Sequence, residues 1–160
     1  MVTATPLPRL PGLSDYEMVR LLGEGGMGKA YLARDKRSGE TVVVKTIHDH
    51  FLDDAKTLQR FRQETDLMRR FRHPNAVAFY RASPANADVP YIVMEYVRGM
   101  TLTELLERHQ RLPAMRAGKL LAPLCLFLQT AHDNGLLHRD LTPNNIMVVN
   151  AGLPQETIKV

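Results

Sequence analysis

Two charged residues in the middle of apolar segments, Lys45 and Glu64, are the first indication of chemistry in this sequence. Lys45 lies in the run TVVVKTI (41–47), where strand alternation puts it on one face with Val43 and fills the other face with valines. A lysine in a strand that is apolar on both faces is costly unless an opposite charge pairs with it. A lysine that is fixed in this way suits a site for a polyanion, because it holds phosphate without reorganising.

Glu64 is the predicted partner of Lys45. Apolar residues recur at helical spacing between residues 53 and 72, at Leu58, Phe61, Met68 and Phe71. On a helical wheel at about 100° per residue, Glu64 falls between the last two of these, in the middle of the apolar stripe. The two charges therefore predict an ion pair between a strand and a helix. In the alternative interpretation, Lys45 extends along the surface to water and Glu64 lies at the edge of the stripe.

The segment GEGGMGKA (23–30) is rich in glycine and has three functional interpretations. As G-x-G-x-x-G it could be a dinucleotide-binding fingerprint, and as G-x-x-x-x-G-K it nearly matches a P-loop. Both motifs must open a helix, whereas strand patterns flank this segment, and Ala30 replaces the hydroxyl residue of the P-loop. The third interpretation is a hairpin whose glycines let backbone N–H groups approach nucleotide phosphates. A plain flexible hairpin stays open as the structural alternative.

The order of elements along the chain predicts an α+β fold. Strand patterns occur at 16–22, 29–35, 41–47, 76–82, 91–97, 146–149 and 157–160. Helical patterns occur at 53–72, 101–110 and 114–134. This order indicates an antiparallel sheet with one helix, followed by a mostly helical segment.

Composition excludes several classes of protein. Of the 160 residues, 44% are hydrophobic and 24% are charged, which is ordinary for a globular protein and argues against disorder. The net charge is +4, but the sequence contains no known nucleic-acid-binding motif. No apolar stretch is long enough to cross a bilayer. The single cysteine, Cys125, fits a reducing compartment, and its apolar surroundings LAPLCLFL predict that it lies in the core. We therefore expect a cytoplasmic protein that binds no nucleic acid and has no membrane segment.

The stretch HRDLTPNN (138–145) concentrates polar side chains, and with the motifs above it makes the chain resemble the protein kinase family. GEGGMGKAYLA resembles the glycine-rich loop, VVVK the strand with the phosphate-binding lysine, and Glu64 the glutamate of the next helix. The segment Met94–Val97 resembles the gatekeeper and hinge, whose backbone would bind adenine, and HRDLTPNN resembles the catalytic loop. The resemblance covers residues 14–160, and GEGGMG is most similar to bacterial Ser/Thr kinases.

The resemblance implies a protein-kinase-like fold with three parts. Residues 1–13 would be a Pro-rich N-terminal tail, and residues 14–97 would form the N-lobe sheet with one helix and the hinge. Residues 98–160 would form the first part of the helical C-lobe, with two helices, the catalytic loop and two short strands.

The resemblance also implies roles for individual residues. Asp140 would orient the substrate hydroxyl and accept its proton, Asn145 would bind a metal ion, and Lys45 and Glu64 would complete the catalytic set. The implied contacts to ATP are made by Leu22, Gly23, Glu24, Gly25, Gly26, Met27, Gly28, Lys29, Ala30, Val43, Lys45, Met94, Glu95, Val97 and Met147. His138 would be structural. The implied cofactors are ATP and Mg²⁺, and the implied substrate is a Ser or Thr hydroxyl of a protein.

The sequence departs from the family at several positions. The family usually has Val at position 30 and Ala at position 43, whereas this sequence has Ala30 and Val43. The swap roughly conserves the volume beside the adenine ring. Thr142 replaces the lysine typical of Ser/Thr kinases. After TIKV the family continues into Asp-Phe-Gly, whose aspartate is the second metal ligand, and that triplet is absent from this sequence. We therefore expect a fragment that is inactive alone and that self-associates through the uncovered apolar face of its long helix.

Three other functions stay open at this point. A non-catalytic nucleotide-binding or interaction module would share these motifs without the transfer chemistry. A small-molecule phosphotransferase shares the spacing from Asp140 to Asn145, although Arg139 and the hinge motif favour a protein kinase. A metal site at His48 and His50 is a weaker alternative, because the H-x-H pair has no third ligand beside it.

Overall fold

The computed structural model describes residues 12–138 and 141–160, which form two compact units. The first unit comprises the described residues up to Arg69 together with Ala78–Tyr96. The second unit comprises Arg70–Val77 and the described residues from Val97 to Val160. Nearly all of the tail expected at residues 1–13 lies outside the described residues.

The first unit is a five-stranded antiparallel sheet that carries one α-helix. Its strands, in the spatial order β1-β2-β3-β5-β4, are β1 (Tyr16–Glu24), β2 (Gly28–Asp35), β3 (Thr41–Ile47), β4 (Phe79–Ala82) and β5 (Tyr91–Glu95). Helix α1 (Ala55–Arg70) lies between β3 and β4 in the chain. This arrangement confirms the predicted α+β fold.

Strand β3 packs on both faces, as its run of β-branched residues predicted. One face contributes to a buried core of Leu13, Ala33, Val42, Val44, Tyr91 and Val93. On the other face, Ile47 packs with Ile92 of β5 and with Phe61 of α1. Helix α1 therefore covers the face of the sheet to which Lys45 belongs.

Helix α1 begins two residues later and ends two residues earlier than predicted. Asp54 caps its start, since one carboxylate oxygen accepts from the Lys56 N–H at 3.0 Å and the other from the Thr57 hydroxyl at 2.6 Å. The Thr57 hydroxyl is the main reason why the pKa of Asp54 is lowered. Beyond the other end, Pro74 disfavours helical geometry at His73, so the helix stops before it.

The second unit contains a three-stranded antiparallel sheet and two helices. In the spatial order β6-β7-β8, the strands are β6 (Gly99–Thr101), β7 (Met147–Val149) and β8 (Thr157–Lys159), and the helices are α2 (Leu102–His109) and α3 (Ala114–Asp133). A capping box between Thr101 and Glu104 starts α2. Gly135, at φ +70°, ends α3, where the Leu136 N–H bonds back to the Ala131 carbonyl. The buried core comprises Leu105, Leu120, Leu124, Phe127, Ile146, Val148 and Ile158.

Strand β6 was not predicted from the sequence. Three residues are too few to show the alternation by which a strand is recognised. Gly99 lets this segment approach β7 closely, because a Cβ at this position would lie 2.3 Å from the Val148 carbonyl oxygen. The pairing is therefore a tertiary effect that depends on a residue without a side chain.

The strand predicted at 76–82 begins only at Phe79. The residues before it bond to the other end of the chain instead. The Val77 N–H donates to the Val160 carbonyl at 2.9 Å, and the Val160 N–H donates to the Asn75 carbonyl at 2.8 Å. The Asn75 side chain adds a bond to the Ile158 carbonyl at 2.7 Å. This long-range pairing explains why the segment 70–77 belongs to the second unit.

Cys125 is exposed, so the prediction that it lies in the core is wrong. The buried residues of α3 recur at helical spacing and are Leu120, Leu124, Phe127 and Ala131. Cys125, Leu121 and Leu126 lie outside this stripe, and the two leucines are 51% and 60% exposed. Self-association through this exposed face stays a prediction. Within the described part of the chain, no helix combines the length and the apolarity that spanning a membrane requires.

An ion pair between Arg116 and Glu156 joins α3 to the connection between β7 and β8. The Arg116 Nη2 donates to Glu156 Oε1 at 2.6 Å and its Nε donates to Oε2 at 3.0 Å. The Gly152 N–H donates to the same Oε1 at 2.8 Å. The Glu156 side chain is only 8% exposed, and the bond from Arg116 is the main reason why its pKa is lowered. The pair is therefore a bidentate, partly buried contact.

We predict that Glu156→Gln lowers the free energy of unfolding by about 1–3 kcal/mol at neutral pH, because Arg116 loses its charged partner. Since the pKa of Glu156 in the folded chain lies below its usual value of 4.5, the contribution is present above that value and is lost as the pH falls further. Urea unfolding at a series of pH values measures both effects. The control is Glu107→Gln, at an exposed position of α2. An equal loss in the two variants would contradict the role of the pair.

Candidate functional site

The predicted ion pair between Lys45 and Glu64 is present in the first unit. The Lys45 Nζ donates to Glu64 Oε1 at 2.5 Å, and the two side chains are 29% and 33% exposed. The alternative in which Lys45 extends to water without a partner is therefore wrong. Glu64 is half-buried, as its place in the apolar stripe of α1 predicted.

The register of the sheet explains why these two charges meet. Lys45 lies between Ala30 of β2 and Ile92 of β5, and directly opposed residues share a face of the sheet. Ile92 packs against Phe61 of α1, and Glu64 lies one helical turn after Phe61. Apolar packing of the helix on the sheet thus brings the carboxylate to the lysine.

A half-buried apolar patch lies on the same face of the sheet as Lys45. Register places Leu32 of β2 beside Val43 of β3, and Val43 beside Met94 of β5. These residues and Ala30 are half-buried, whereas the opposite face of the sheet is the closed core. The structure thus brings together Ala30, Val43 and Met94, which were predicted to bind the nucleotide, and adds Leu32. Leu32 was missed because only the register shows that it neighbours Val43.

The glycine-rich segment is the tip of the hairpin between β1 and β2. Glu24 pairs with Lys29, and the Gly25 N–H donates to the Gly28 carbonyl at 2.9 Å. Leu22 is half-buried beside a bulge in β1. Both strands continue directly into the tip, so the interpretations that required a helix after the glycines are wrong. The geometry supports a hairpin and leaves open both the phosphate-binding hairpin and the plain hairpin.

The glycines of the hairpin fall into two groups. A Cβ at Gly28 would lie 1.8 Å from the carbonyl oxygen of Thr46, so this glycine lets the hairpin pack against β3. A Cβ at Gly23, Gly25 or Gly26 would meet no atom of the described residues within 4 Å, and none of the three has a left-handed φ. Neither packing nor backbone conformation therefore requires a glycine at these three positions.

His48, directly after β3, contacts the tip of the hairpin at three places. Its Nε2 lies 2.8 Å from the Gly25 carbonyl oxygen, and its Nδ1 lies 3.6 Å from Glu24 Oε1. Its backbone N–H donates to the Met27 carbonyl at 3.0 Å. The side chain is 11% exposed and its ring stacks on His50 at 5.1 Å between centroids. The sequence showed only an H-x-H pattern here, and the described residues contain no group of three His, Cys, Asp or Glu that could hold a metal.

The residues predicted to form the hinge belong partly to each unit. Glu95 ends β5, where its N–H donates to the Ala78 carbonyl at 2.9 Å and its Oε2 accepts from the Ala78 N–H at 3.0 Å. These bonds give the Glu95 side chain a structural role in joining β5 to the start of β4. Val97, in the second unit, is 8% exposed.

Besides Val97, the predicted site residues that the structure describes in the second unit are Asn145 and Met147. Asn145 is exposed and ends a 3-10 turn (Pro143–Asn145), in which its N–H donates to the Thr142 carbonyl at 2.9 Å. Met147 is half-buried at the start of β7, paired with Thr101 and Lys159. Asp140 and Arg139 lie outside the described residues.

The described residues supply only part of a magnesium site. An amide oxygen of Asn145 fits the oxygen preference of Mg²⁺, which proteins usually hold through one or two carboxylates as well. Among the described residues there is no group of three or more His, Cys, Asp or Glu side chains that could hold a metal ion. Asn145 is therefore compatible with one ligand position and does not define a metal site.

His138 occupies the structural position expected of it. Its ring packs edge-to-face on Phe127 of α3, with 6.5 Å between centroids. Its Nδ1 is buried and has no hydrogen-bond partner among the residues that the structure describes. The ring thus packs against the core of the second unit.

Comparison with known proteins agrees with the resemblance to the protein kinase family that the sequence motifs showed. A family model of the protein kinase domain matches residues 16–160. The chain is 39% identical over 142 residues to the serine/threonine-protein kinase PknB of Mycobacterium leprae, covering 86% of this chain and 23% of the relative. It is 36% identical over 140 residues to a probable PknB of Corynebacterium glutamicum, covering 86% and 22%. It is 37% identical over 133 residues to the kinase pkn3 of Myxococcus xanthus, covering 83% and 24%. The chain thus spans less than a quarter of the length of these relatives.

We predict that Gly28→Ala destabilises the first unit by about 1–3 kcal/mol, because the new methyl group overlaps the Thr46 carbonyl and forces the backbone to shift. Gly26→Ala is the matched control, and it should change the free energy of unfolding by no more than about 0.5 kcal/mol. Thermal unfolding of the two variants beside the wild type measures the difference. Similar melting temperatures for both variants would show that the hairpin does not depend on this close approach.

Proposed function

Since this chain belongs to the protein kinase family, we propose that it binds ATP and contributes to transfer of the γ-phosphate to Ser or Thr hydroxyls of proteins. The observation that carries the proposal is the Lys45–Glu64 pair, which holds an ammonium group in a fixed position beside the apolar patch. A fixed cation binds a polyphosphate without the cost of ordering a flexible side chain. Glu64 supplies that order.

The glycine hairpin supports phosphate binding independently of the lysine. Gly23, Gly25 and Gly26 are not needed for packing or for a left-handed backbone. Close approach of a ligand to the backbone is a further reason for glycine, since N–H groups can then donate to phosphate oxygens without a side chain in the way. We therefore assign these three residues to the phosphates.

The apolar patch supports binding of the adenine ring. Ala30, Leu32, Val43 and Met94 share one face of the sheet and are half-buried, which leaves apolar surface for a flat ring. We propose that this patch binds the base while Lys45, on the same face, binds the phosphates. Leu22, Glu95, Val97 and Met147 are assigned to the nucleotide by the family resemblance.

For the transfer step we propose that Asp140 is the catalytic base. A bond would form between the substrate hydroxyl oxygen and the γ-phosphorus, and the bond from that phosphorus to the β–γ bridging oxygen would break. The hydroxyl proton would pass to the Asp140 carboxylate, and ADP would leave. Asn145 is assigned to a metal ion that neutralises phosphate charge when bound.

We predict that Lys45→Met weakens ATP binding by about tenfold or more, because a charge-assisted bond to phosphate is lost. Glu64→Gln should weaken it less, since Lys45 keeps its charge and loses only its orientation. Isothermal titration of each variant with ATP and Mg²⁺ gives the affinities, and thermal unfolding checks that the fold persists. Lys56→Met, at an exposed lysine of α1, is the control. Unchanged affinity in both site variants would contradict the pairing argument.

We predict that the natural protein containing this sequence labels Ser or Thr in a protein acceptor with radioactive phosphate from ATP. Asp140→Asn should reduce the rate by at least about a hundredfold, because the hydroxyl proton loses its acceptor. Phosphoamino-acid analysis of the product identifies the acceptor. Labelling of small molecules alone would favour a small-molecule phosphotransferase, and ATP binding without any transfer would favour a non-catalytic module.

A further inference from the structure

We propose that His48 is a positioning residue that holds the tip of the glycine hairpin in the conformation that receives the phosphates, and that it does so most strongly as an imidazolium. The inference rests on the proposed function, because it concerns ATP binding by the same hairpin. His48 has no role among the predicted site residues. It directly follows β3, three positions after Lys45, and is mostly buried beside the hairpin tip.

Both ring nitrogens of His48 face an oxygen acceptor. Nε2 lies 2.8 Å from the Gly25 carbonyl oxygen, and Nδ1 lies 3.6 Å from Glu24 Oε1. In a neutral imidazole only one nitrogen carries a proton, so one of the two contacts sets a lone pair against an oxygen. Only the imidazolium can donate to Gly25 and attract Glu24 at the same time.

The contacts of His48 fix two peptide groups of the hairpin tip. The ring holds the Gly25 carbonyl, and the His48 backbone N–H holds the Met27 carbonyl at 3.0 Å. Because a trans peptide is planar, the N–H of Gly26 points away from the carbonyl that His48 holds, in a direction from which it can donate to an anion. A tip that is fixed before the ligand arrives binds more tightly than one that must be ordered on binding.

Other charged groups around the ring affect how far protonation strengthens the contact. Glu24, at the end of β1, attracts the imidazolium, and Lys29 of β2 competes for this carboxylate at 3.9 Å. Asp49 and His50 follow His48 in the chain, and the His50 ring is stacked on it. His50 has the same chemistry and a neighbouring position, but its ring contacts are with His48 and Phe51.

Three variants separate the hydrogen bonds from ring packing. His48→Phe keeps a flat ring for stacking and removes both polar contacts of the side chain. His48→Gln keeps a neutral donor that can reach the Gly25 carbonyl and removes the charge. His109→Gln removes an exposed imidazole at the end of α2, in the second unit, and it is the matched control.

The experiment measures the affinity for ATP with Mg²⁺ by isothermal titration from about pH 5 to about pH 8, the range in which histidines titrate. We expect His48→Phe to bind about two- to tenfold more weakly than the wild type at the acidic end. We expect the advantage of the wild type over His48→Gln to shrink as the pH rises. Deprotonation of the imidazolium leaves only one of its two ring nitrogens with a proton. Titration of the ATP phosphates is common to all variants and cancels in these ratios. His109→Gln should follow the wild type.

Amide hydrogen exchange of residues 25–28 without nucleotide tests the hairpin itself. We expect faster exchange in His48→Phe and unchanged exchange in His109→Gln. Equal ATP affinity of His48→Phe and wild type at every pH would overturn the positioning role, and parallel profiles of His48→Gln and wild type would overturn the role of the charge. If the wild type bound no ATP at any pH, the proposed function would fail, while the exchange rates would still show whether His48 holds the hairpin.

Discussion

The ion pair between Lys45 and Glu64 is the contact that joins the sheet of the first unit to its helix at the candidate site. Lys45 lies on the central strand β3, between Ala30 and Ile92, where a charge without a partner would be costly. In this partly buried pair, removing one partner would leave the other charge without its counterion. The position of α1 on the sheet is therefore tied to the lysine by electrostatics as well as by the packing of Phe61 on Ile92.

Strand β3 also determines where the glycine hairpin lies. The Thr46 carbonyl closely approaches Gly28, and the residue that follows the strand, His48, contacts Gly25 and Met27. The same short segment thus fixes α1 through Lys45 and the hairpin through its last residues. Rigid support of this kind is what holds functional groups in place before a ligand binds.

The parts of the structure that were predictable from the sequence are those encoded in local patterns. Alternation in TVVVKTI and helical spacing around Glu64 were enough to predict the pair. Each pattern shows on which face of its strand or helix the charged residue lies, and each of these faces is otherwise apolar. The same logic failed for Cys125, where an apolar run extends around α3 and spacing alone does not show which side is covered. A sequence pattern reliably predicts which face of a helix or strand is buried only when polar residues mark the opposite face.

The features that were missed depend on contacts between distant residues. Strand β6 requires β7, residues 75–77 require Val160, and the place of Leu32 in the apolar patch requires the register with Val43. His48 is the clearest case, since its neighbours in the sequence suggested a metal ligand, whereas its neighbours in space are a carbonyl and a carboxylate. A histidine between two oxygen acceptors is a donor, so its chemistry follows from the hairpin folding back onto the end of β3 and not from the sequence around it.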